Sequence, residues 1–295
     1  FSNLTPRVMA VDLQALYPKL IHLMLDTVFV VDRDNRIAFV SDACQALLGY
    51  RADELTGALI TDYIHPEDLA ISRASIVRVM NGQAHVDFRN RYIRKDGGVV
   101  HILWAAFWSE DVGARIGVAR DVTALRAAED ELRFLAHHDP LTQLPNRALF
   151  NDRLETALRA ARRRNSTLAL LFVDMNDFKG INDVYGHAIG DRVLRMAAQR
   201  LHGCVRESDT VARMGGDEFT VLLTDIQSTD DVAWKVEQIS VAMAEPLGAE
   251  FGGIQMPSCS IGMAFYPVDG EDADTLLSHA DGDMYRIKRQ RSRAG

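Results

Sequence analysis

Cysteine is scarce. The 295 residues hold three, Cys44, Cys204 and Cys259, far apart and with no CxxC pair. That spacing excludes a disulfide framework and a structural zinc site and fits a reducing, cytoplasmic setting. Positive charge is not in excess either, since the formal net charge is −8. A general nucleic-acid binder is more often basic, so nucleic acid is set aside as a partner, while a nucleotide whose phosphates arrive with magnesium is not. No apolar run approaches the ~18 residues of a membrane-crossing helix. Neither a Walker loop nor a dinucleotide-binding glycine fingerprint is present. The first residue is Phe1, not Met, which points to a fragment of something longer and leaves open a membrane attachment through flanking segments.

What is present has the balance of a globular protein, 47% apolar and 25% charged residues, over a length that suits two domains. Residues 1–20 read as a helical lead-in, with Val8, Val11, Leu13 and Leu16 at roughly helical spacing before Pro18. Two short strands follow, Val28–Val31 and Ile37–Val40, either side of the Asp34-Asn35 turn. Short helices come next, and after Gly82 three longer strands, Ala84–Arg94, Val99–Trp108 and Arg115–Arg120. This order predicts an α+β layer arrangement, an antiparallel sheet with flanking helices on one face.

The segments Leu47-Leu48-Gly49-Tyr50, Glu54-Leu55, Ile64-His65-Pro66-Glu67-Asp68, Arg94-Lys95-Asp96-Gly97 and Asp121-Val122-Thr123 are specific in combination and order, and residues 21–123 resemble a PAS domain. The resemblance implies a sensor or dimerisation module with a pocket between sheet and helices. His65, His85 and His101 are candidate haem ligands, and Trp104 and Trp108 candidate flavin platforms. The plainer reading is preferred: His65 belongs to the family's turn, and the two tryptophans share the parity of one packed sheet face. The PAS ligand is left unknown.

Leu125, Ala128, Leu132 and Leu135 form an a/d-like stripe in a connecting helix expected over residues 124–138. Such a helix packs on its own domain or pairs with a second copy as a short parallel coil. The second is favoured, because the stripe follows the sensor directly and has little else to pack against. About two heptads are too few to dimerise unaided, so the sensor must help.

Residues 139–295 alternate helix and strand. A helix is expected over Arg147–Arg164, then a continuous apolar strand, Thr167–Val173, with Asp174 at its carboxyl end, where α/β sheets place ligand-binding residues. Asp177-Phe178-Lys179 is read as a loop, and a helix is expected from about Asp191 to Cys204. Strands Thr210–Met214 and Phe219–Thr224 flank Gly215-Gly216, a hairpin signal, because tight hairpin turns need positive φ. Asp217 and Glu218 then stand at the tip of a rigid scaffold, suited to metal binding or proton abstraction. A helix over Asp230–Ala244, a strand over Pro257–Tyr266 and a helix from Ala273 complete an α/β sandwich with a mixed central sheet.

Six segments in order carry a second resemblance. They are Asp139-x-Leu141-Thr142-x-Leu144-x-Asn146-Arg147, Asp174-x-x-x-Phe178-Lys179-x-x-Asn182-Asp183, Gly186-His187-x-x-Gly190-Asp191, Gly215-Gly216-Asp217-Glu218-Phe219, Ser260-Ile261-Gly262 and Asp283-Met284-Tyr285-Arg286-Ile287-Lys288. The half from Asp139 onward resembles the GGDEF domain of diguanylate cyclases, a nucleotidyl-cyclase-like fold. The resemblance implies condensation of two GTP into cyclic di-GMP with release of two pyrophosphates. It implies Mg2+ or Mn2+, two per site, on Asp174, the main-chain carbonyl of Met175 and Glu218. Asp217 is left with two open roles, a second metal contact and activation of the attacking hydroxyl. Lys179 and Lys288 would neutralise phosphates, Phe178 belongs to the substrate-binding segment, and Asn182 and Asp191 would read guanine. Gly215 and Gly216 would let phosphates approach the hairpin. Each also has a plain reading: Asp191 as a helix cap, Asn182 as a turn residue, Lys288 as an exposed helix lysine.

Arg206 and Asp209 match the family's RxxD product-inhibition site by their offset from Gly215, against the plainer reading of a surface ion pair. Two departures stand out: Asn176 where a second aspartate is common, and Arg291-Ser292-Arg293 in place of the usual Gly-Arg-Asn. One site holds one GTP and the product contains two, so a homodimer is expected. The alternative is a non-catalytic GTP- or cyclic di-GMP-binding module that regulates a phosphodiesterase domain beyond Gly295.

Overall fold

A computed structural model describes residues 24–248, 251 and 254–294. The lead-in expected over residues 1–20 lies outside the described residues. The chain divides into two compact units, Phe1–Asp130 and Glu131–Gly295. Among the described residues no helix is long and apolar enough to cross a membrane.

The first unit opens on β1 (Thr27–Val31) and β2 (Ile37–Val40). In β1 the alternate residues Thr27, Phe29 and Val31 are buried, as period-two apolar patterning requires. Helices α1 (Cys44–Leu48), α2 (Ala52–Leu55) and α3 (Leu69–Met80) follow, with 3-10 turns at Ile60–Tyr63 and Pro66–Asp68. The strands β3 (His85–Ile93), β4 (Val99–Ser109) and β5 (Ala114–Asp121) complete an antiparallel sheet of order β2-β1-β5-β4-β3. Trp104 is a core residue. Its ring packs between Phe29 and Tyr92, over Gly117, where a Cβ would come within 3.3 Å of the indole. Asp68 fastens the start of α3 to β3, accepting from the Arg91 backbone at 2.7 Å and from its guanidinium.

The end of β5 is clamped. Asp121 accepts from the Thr123 backbone N–H at 2.8 Å and from Arg94 at 2.8 Å, while Thr123 Oγ1 accepts from the His101 N–H at 2.9 Å. Helix α4 (Thr123–His137) starts from this clamp. None of its residues is buried: Leu125, Leu132 and Leu135 are 57%, 67% and 42% exposed.

The second unit contains α5 (Arg147–Arg164), β6 (Thr167–Met175), α6 (Phe178–Tyr185), α7 (His187–Gly203), β7 (Thr210–Gly215), β8 (Glu218–Ile226), α8 (Thr229–Ala244), β9 (Cys259–Tyr266) and α9 (Ala273–Ala294). The sheet order is β7-β8-β6-β9. Central β6 is buried on both faces, which is why its sequence is a continuous apolar run. Ala169, Leu171 and Val173 face a core shared with α7 and α8, while Leu168, Leu170 and Phe172 face one shared with α5 and α9.

Two expectations need correction. The sheet is not mixed: among the described strands every pairing, β6 with β8, β6 with β9 and β7 with β8, is antiparallel. The hairpin inserts β8 between β6 and β7, so the strand reached through α6 and α7 runs parallel to β6 without touching it. The segment after Asp177 is not a loop but the helix α6.

Candidate active site

The Gly-Gly hairpin forms. β7 ends on Gly215, which pairs with Glu218, leaving Gly216 and Asp217 as the turn. Gly215 has φ 146° and Gly216 φ 52°. Nothing lies within 4 Å of a Cβ built at either. Backbone sign, not crowding, therefore demands glycine, and the space over the turn is open. Arg213 secures the turn from below. Its Nε and Nη2 donate to the Gly216 carbonyl at 3.0 and 2.7 Å, and its Nη1 donates to both oxygens of Asp139 at 2.9 and 3.0 Å. Asp139 also accepts from the Thr142 N–H and hydroxyl. Burial opposes ionisation of Asp139, but the Thr142 and Arg213 bonds outweigh it and hold the carboxyl below its ordinary range. The sequence reading gave Arg213 no role; its one signal was a charge in an apolar strand beside a glycine turn.

Asp174, buried at the end of β6, lies opposite Glu218 on β8 and Ser260 on β9. Lys288 of α9 donates to its Oδ1 at 2.5 Å. Burial raises the proton affinity of Asp217 and Glu218, and the Asp174 charge raises both further. Asp281 of α9 adds to the effect at Glu218. Asp281 was not foreseen, although it stands seven residues before Lys288 and so about two helical turns away on the same face. Met175 is fully buried by its side chain, so only its main chain is available; its N–H donates to the Asp217 carbonyl at 3.3 Å.

Among the described residues no three His, Cys, Asp or Glu side chains converge into a ready-made metal cage. The donors are nonetheless all oxygen and mutually repelling, which fits a hard divalent cation that keeps waters and takes further oxygens from phosphates.

Asn182 stands on α6 against Gly190 of α7. A Cβ at Gly190 would run into Asn182 Oδ1 and lie 3.2 Å from Phe178 Cζ. The Phe178 side chain is itself buried in the core, and its main chain lies at the start of α6. Lys179 and Asp191 are exposed. Asn176 is a structural tie: its amide donates to Ser258 Oγ at 3.0 Å and accepts from Ser260 Oγ at 2.9 Å. Arg291 donates to the Cys259 carbonyl at 2.7 Å, while the side chain of Arg293 lies outside the described part.

Arg206 and Asp209 form no ion pair among the described residues. Asp209 instead accepts from the backbone N–H of Arg206 at 3.1 Å and of Thr224 at 3.2 Å, which fixes the turn before β7. Arg206 is exposed and shares a groove with Asp209, Trp234 and Lys235. The groove wall supplied by α8, with Trp234 62% exposed, escaped the sequence reading.

The profile of the family described as diguanylate cyclase, GGDEF domain, matches residues 136–294, and that of the PAS fold matches 37–117. The diguanylate cyclase TpbB of Pseudomonas aeruginosa is 38% identical over 84% of this chain and 55% of its own length. The bifunctional diguanylate cyclase/cyclic di-GMP phosphodiesterase MucR of the same species is 44% identical over 57% of this chain and 24% of its own. The chain thus spans about half of the first of these relatives and a quarter of the second. The crystal structure of the coiled coil and GGDEF domain of DgcB from Caulobacter crescentus, in complex with c-di-GMP, superposes with a TM-score of 0.51 at 29% identity, covering 57% of this chain and 89% of that one.

Proposed function

From a chain that belongs to the GGDEF, diguanylate cyclase, family and carries a PAS fold before that domain, we propose a diguanylate cyclase that condenses two GTP into cyclic di-GMP and two pyrophosphates. The observation that carries the reading is the carboxylate group on one sheet end: Asp174 opposite Glu218, with Asp217 at the adjoining turn and Lys288 on Asp174.

In each half-reaction a ribose 3′-hydroxyl of one GTP attacks the α-phosphate of the other, chemistry that needs positioning, charge neutralisation and a base. Asp174, Glu218, the Met175 carbonyl and Asp217 would hold Mg2+ or Mn2+, two per site, which when bound supplies charge neutralisation at the phosphates. Asp217, whose proton affinity is raised, suits acceptance of the hydroxyl proton. Lys288 and Lys179 are long enough to reach the β- and γ-phosphates, and Gly215 and Gly216 leave the hairpin backbone open to them. Asp191 accepts from guanine N1–H and the 2-amino group, a pattern adenine lacks, and Asn182 is steadied for the same edge by its seat against Gly190.

One domain holds one GTP, so two copies of the chain face each other, joined through α4 with its exposed leucine stripe and under control of the PAS domain. We take residues 21–123 as the sensor, 124–138 as the connector and 139–295 as the cyclase. Product binds back at Arg206 and Asp209 and restrains the enzyme, Arg206 being free to fork onto guanine or phosphate. GTP as substrate puts this segment in the cytoplasm. Incubation with GTP and magnesium, with nucleotides separated, tests the reading: wild-type chain yields cyclic di-GMP and Asp217→Ala yields none while keeping its fold. A second reading draws on the bifunctional MucR. There the domain binds GTP without turnover and controls an attached phosphodiesterase domain, and GTP then binds but returns unchanged.

A further inference from the structure

Arg115, the second residue of β5, lies on the sheet face that also carries Gly117 and Ala119, the face over which Trp104 packs. It is 7% exposed. A buried guanidinium is costly unless its charge is paired and its five N–H donors are met. Among the described residues Arg115 makes one hydrogen bond, from Nη1 to Asn35 Oδ1 at 3.3 Å, and no ion pair. Burial lowers its proton affinity, while Tyr92 and Asp32 act on it in the opposite sense. Asp32 does not close on it: its Oδ1 is taken by the backbone N–H groups of Asp34 and Arg36, at 2.9 and 2.8 Å.

Arg115 lines a cavity of ≈ 40 Å³ between the sheet and α3, a size for a small molecule of a few heavy atoms. Most other polar groups of the wall satisfy one another. Asn90 donates to Ser72 Oγ at 2.8 Å and accepts from the Trp104 indole at 2.9 Å, and Ser75 is bonded to His85 at 2.8 Å. Ile60, Ile64, Ile76, Val79 and Phe88 supply apolar lining. One cationic side chain therefore lines a small chamber in which Ser72, Ser75, His85, Asn90 and Trp104 already have partners and the Tyr92 hydroxyl is the one other polar side-chain group.

We propose that this cavity binds a small aliphatic monocarboxylate of about two to four carbons, its carboxylate forked onto Arg115 and its alkyl end against the apolar lining. Water would leave the buried charge uncompensated. A dicarboxylate or phosphate would bring a second charge with no partner. A haem or flavin is many times larger than the chamber, and His65 stands outside it, capping the turn at Pro66–Asp68. The inference is independent of GTP turnover and is read by binding alone.

Titration calorimetry of the whole chain with sodium propionate, against sodium chloride at equal ionic strength, tests it. Saturable one-site binding is expected, with succinate weaker. Arg115→Met keeps side-chain length and removes the charge, and it should weaken propionate at least about tenfold, the scale of one charge-assisted pair. Ile76→Phe fills the chamber while keeping the arginine and should also lose binding, so the result does not hang on the folding of one variant. The proposal is overturned by a wild-type chain that does not saturate with propionate, by binding that survives both substitutions, or by succinate binding as tightly.

Discussion

Asp174 lies directly opposite Glu218 across the β6–β8 ladder. Residues so paired have Cβ atoms about 4.5–5.5 Å apart, so the buried backbone holds two like charges close together. Lys288 answers one of them. The arrangement calls for an added cation, and Glu218→Gln should remove part of that call. Magnesium should raise the melting temperature of the wild-type chain by mass action and leave the variant nearly unmoved. The variant without metal should melt no lower than wild type, while cyclic di-GMP formation falls roughly 10²-fold or more. Thermal scans with and without magnesium, beside a nucleotide assay, check both.

Gly190→Ala separates packing from recognition. The new methyl collides with the end of the Asn182 side chain, which can turn away at small cost to the fold. Phe178 Cζ, 3.2 Å from the methyl, must also give a little, so the melting temperature should fall modestly, while KM for GTP rises about tenfold, the equivalent of ~1.4 kcal/mol of lost guanine contact. A variant with unchanged KM would remove Asn182 from the substrate site.

Asp139→Asn tests the mooring of the hairpin. The bonds to Arg213 and Thr142 hold the Asp139 carboxyl below its ordinary range. Their stabilisation is therefore fully present above the unfolded-state value of about 3.9 and is lost as pH falls through the lower folded-state value. At neutral pH the variant should be less stable by about 1.5–3 kcal/mol, the scale of hydrogen bonds to a charged group. The gap should close as pH drops below about 4. Denaturant melts at several pH values read this directly; a gap that widens in acid would contradict it.

Much of this was legible in the chain. The apolar run before Asp174 announced a strand buried on both faces, and Gly215-Gly216 announced a turn with positive φ. The helix α6 was not legible, because Gly180, Asn182, Asp183 and Val184 are weak helix formers and the turn is held instead by Phe178 packing under Gly190. The Arg213–Asp139 pair joins residues 74 apart in sequence. Asp281 acquires its effect on Glu218 only once α9 lies beside the sheet. The all-antiparallel sheet depended on which strand sits beside β6, and no local pattern records that.

Leu132→Asp addresses the exposed stripe of α4, whose three leucines meet nothing in the described chain that buries them. A charge at this position should leave secondary structure and GTP binding intact, shift the chain toward monomer in sedimentation, and lower activity at a given concentration. Unchanged sedimentation would place the stripe outside any dimer contact.

The central claim is that two copies of the carboxylate site, each with one GTP, make one product. The rate of cyclic di-GMP formation per chain, measured against chain concentration at saturating GTP and magnesium, tests this most directly. The account predicts a specific rate that rises with concentration and levels off where the chain is fully dimeric, with two pyrophosphates released per cyclic di-GMP. No cyclic di-GMP at any concentration, including those at which the chain is dimeric, would contradict it, as would a specific rate that does not change between monomer and dimer.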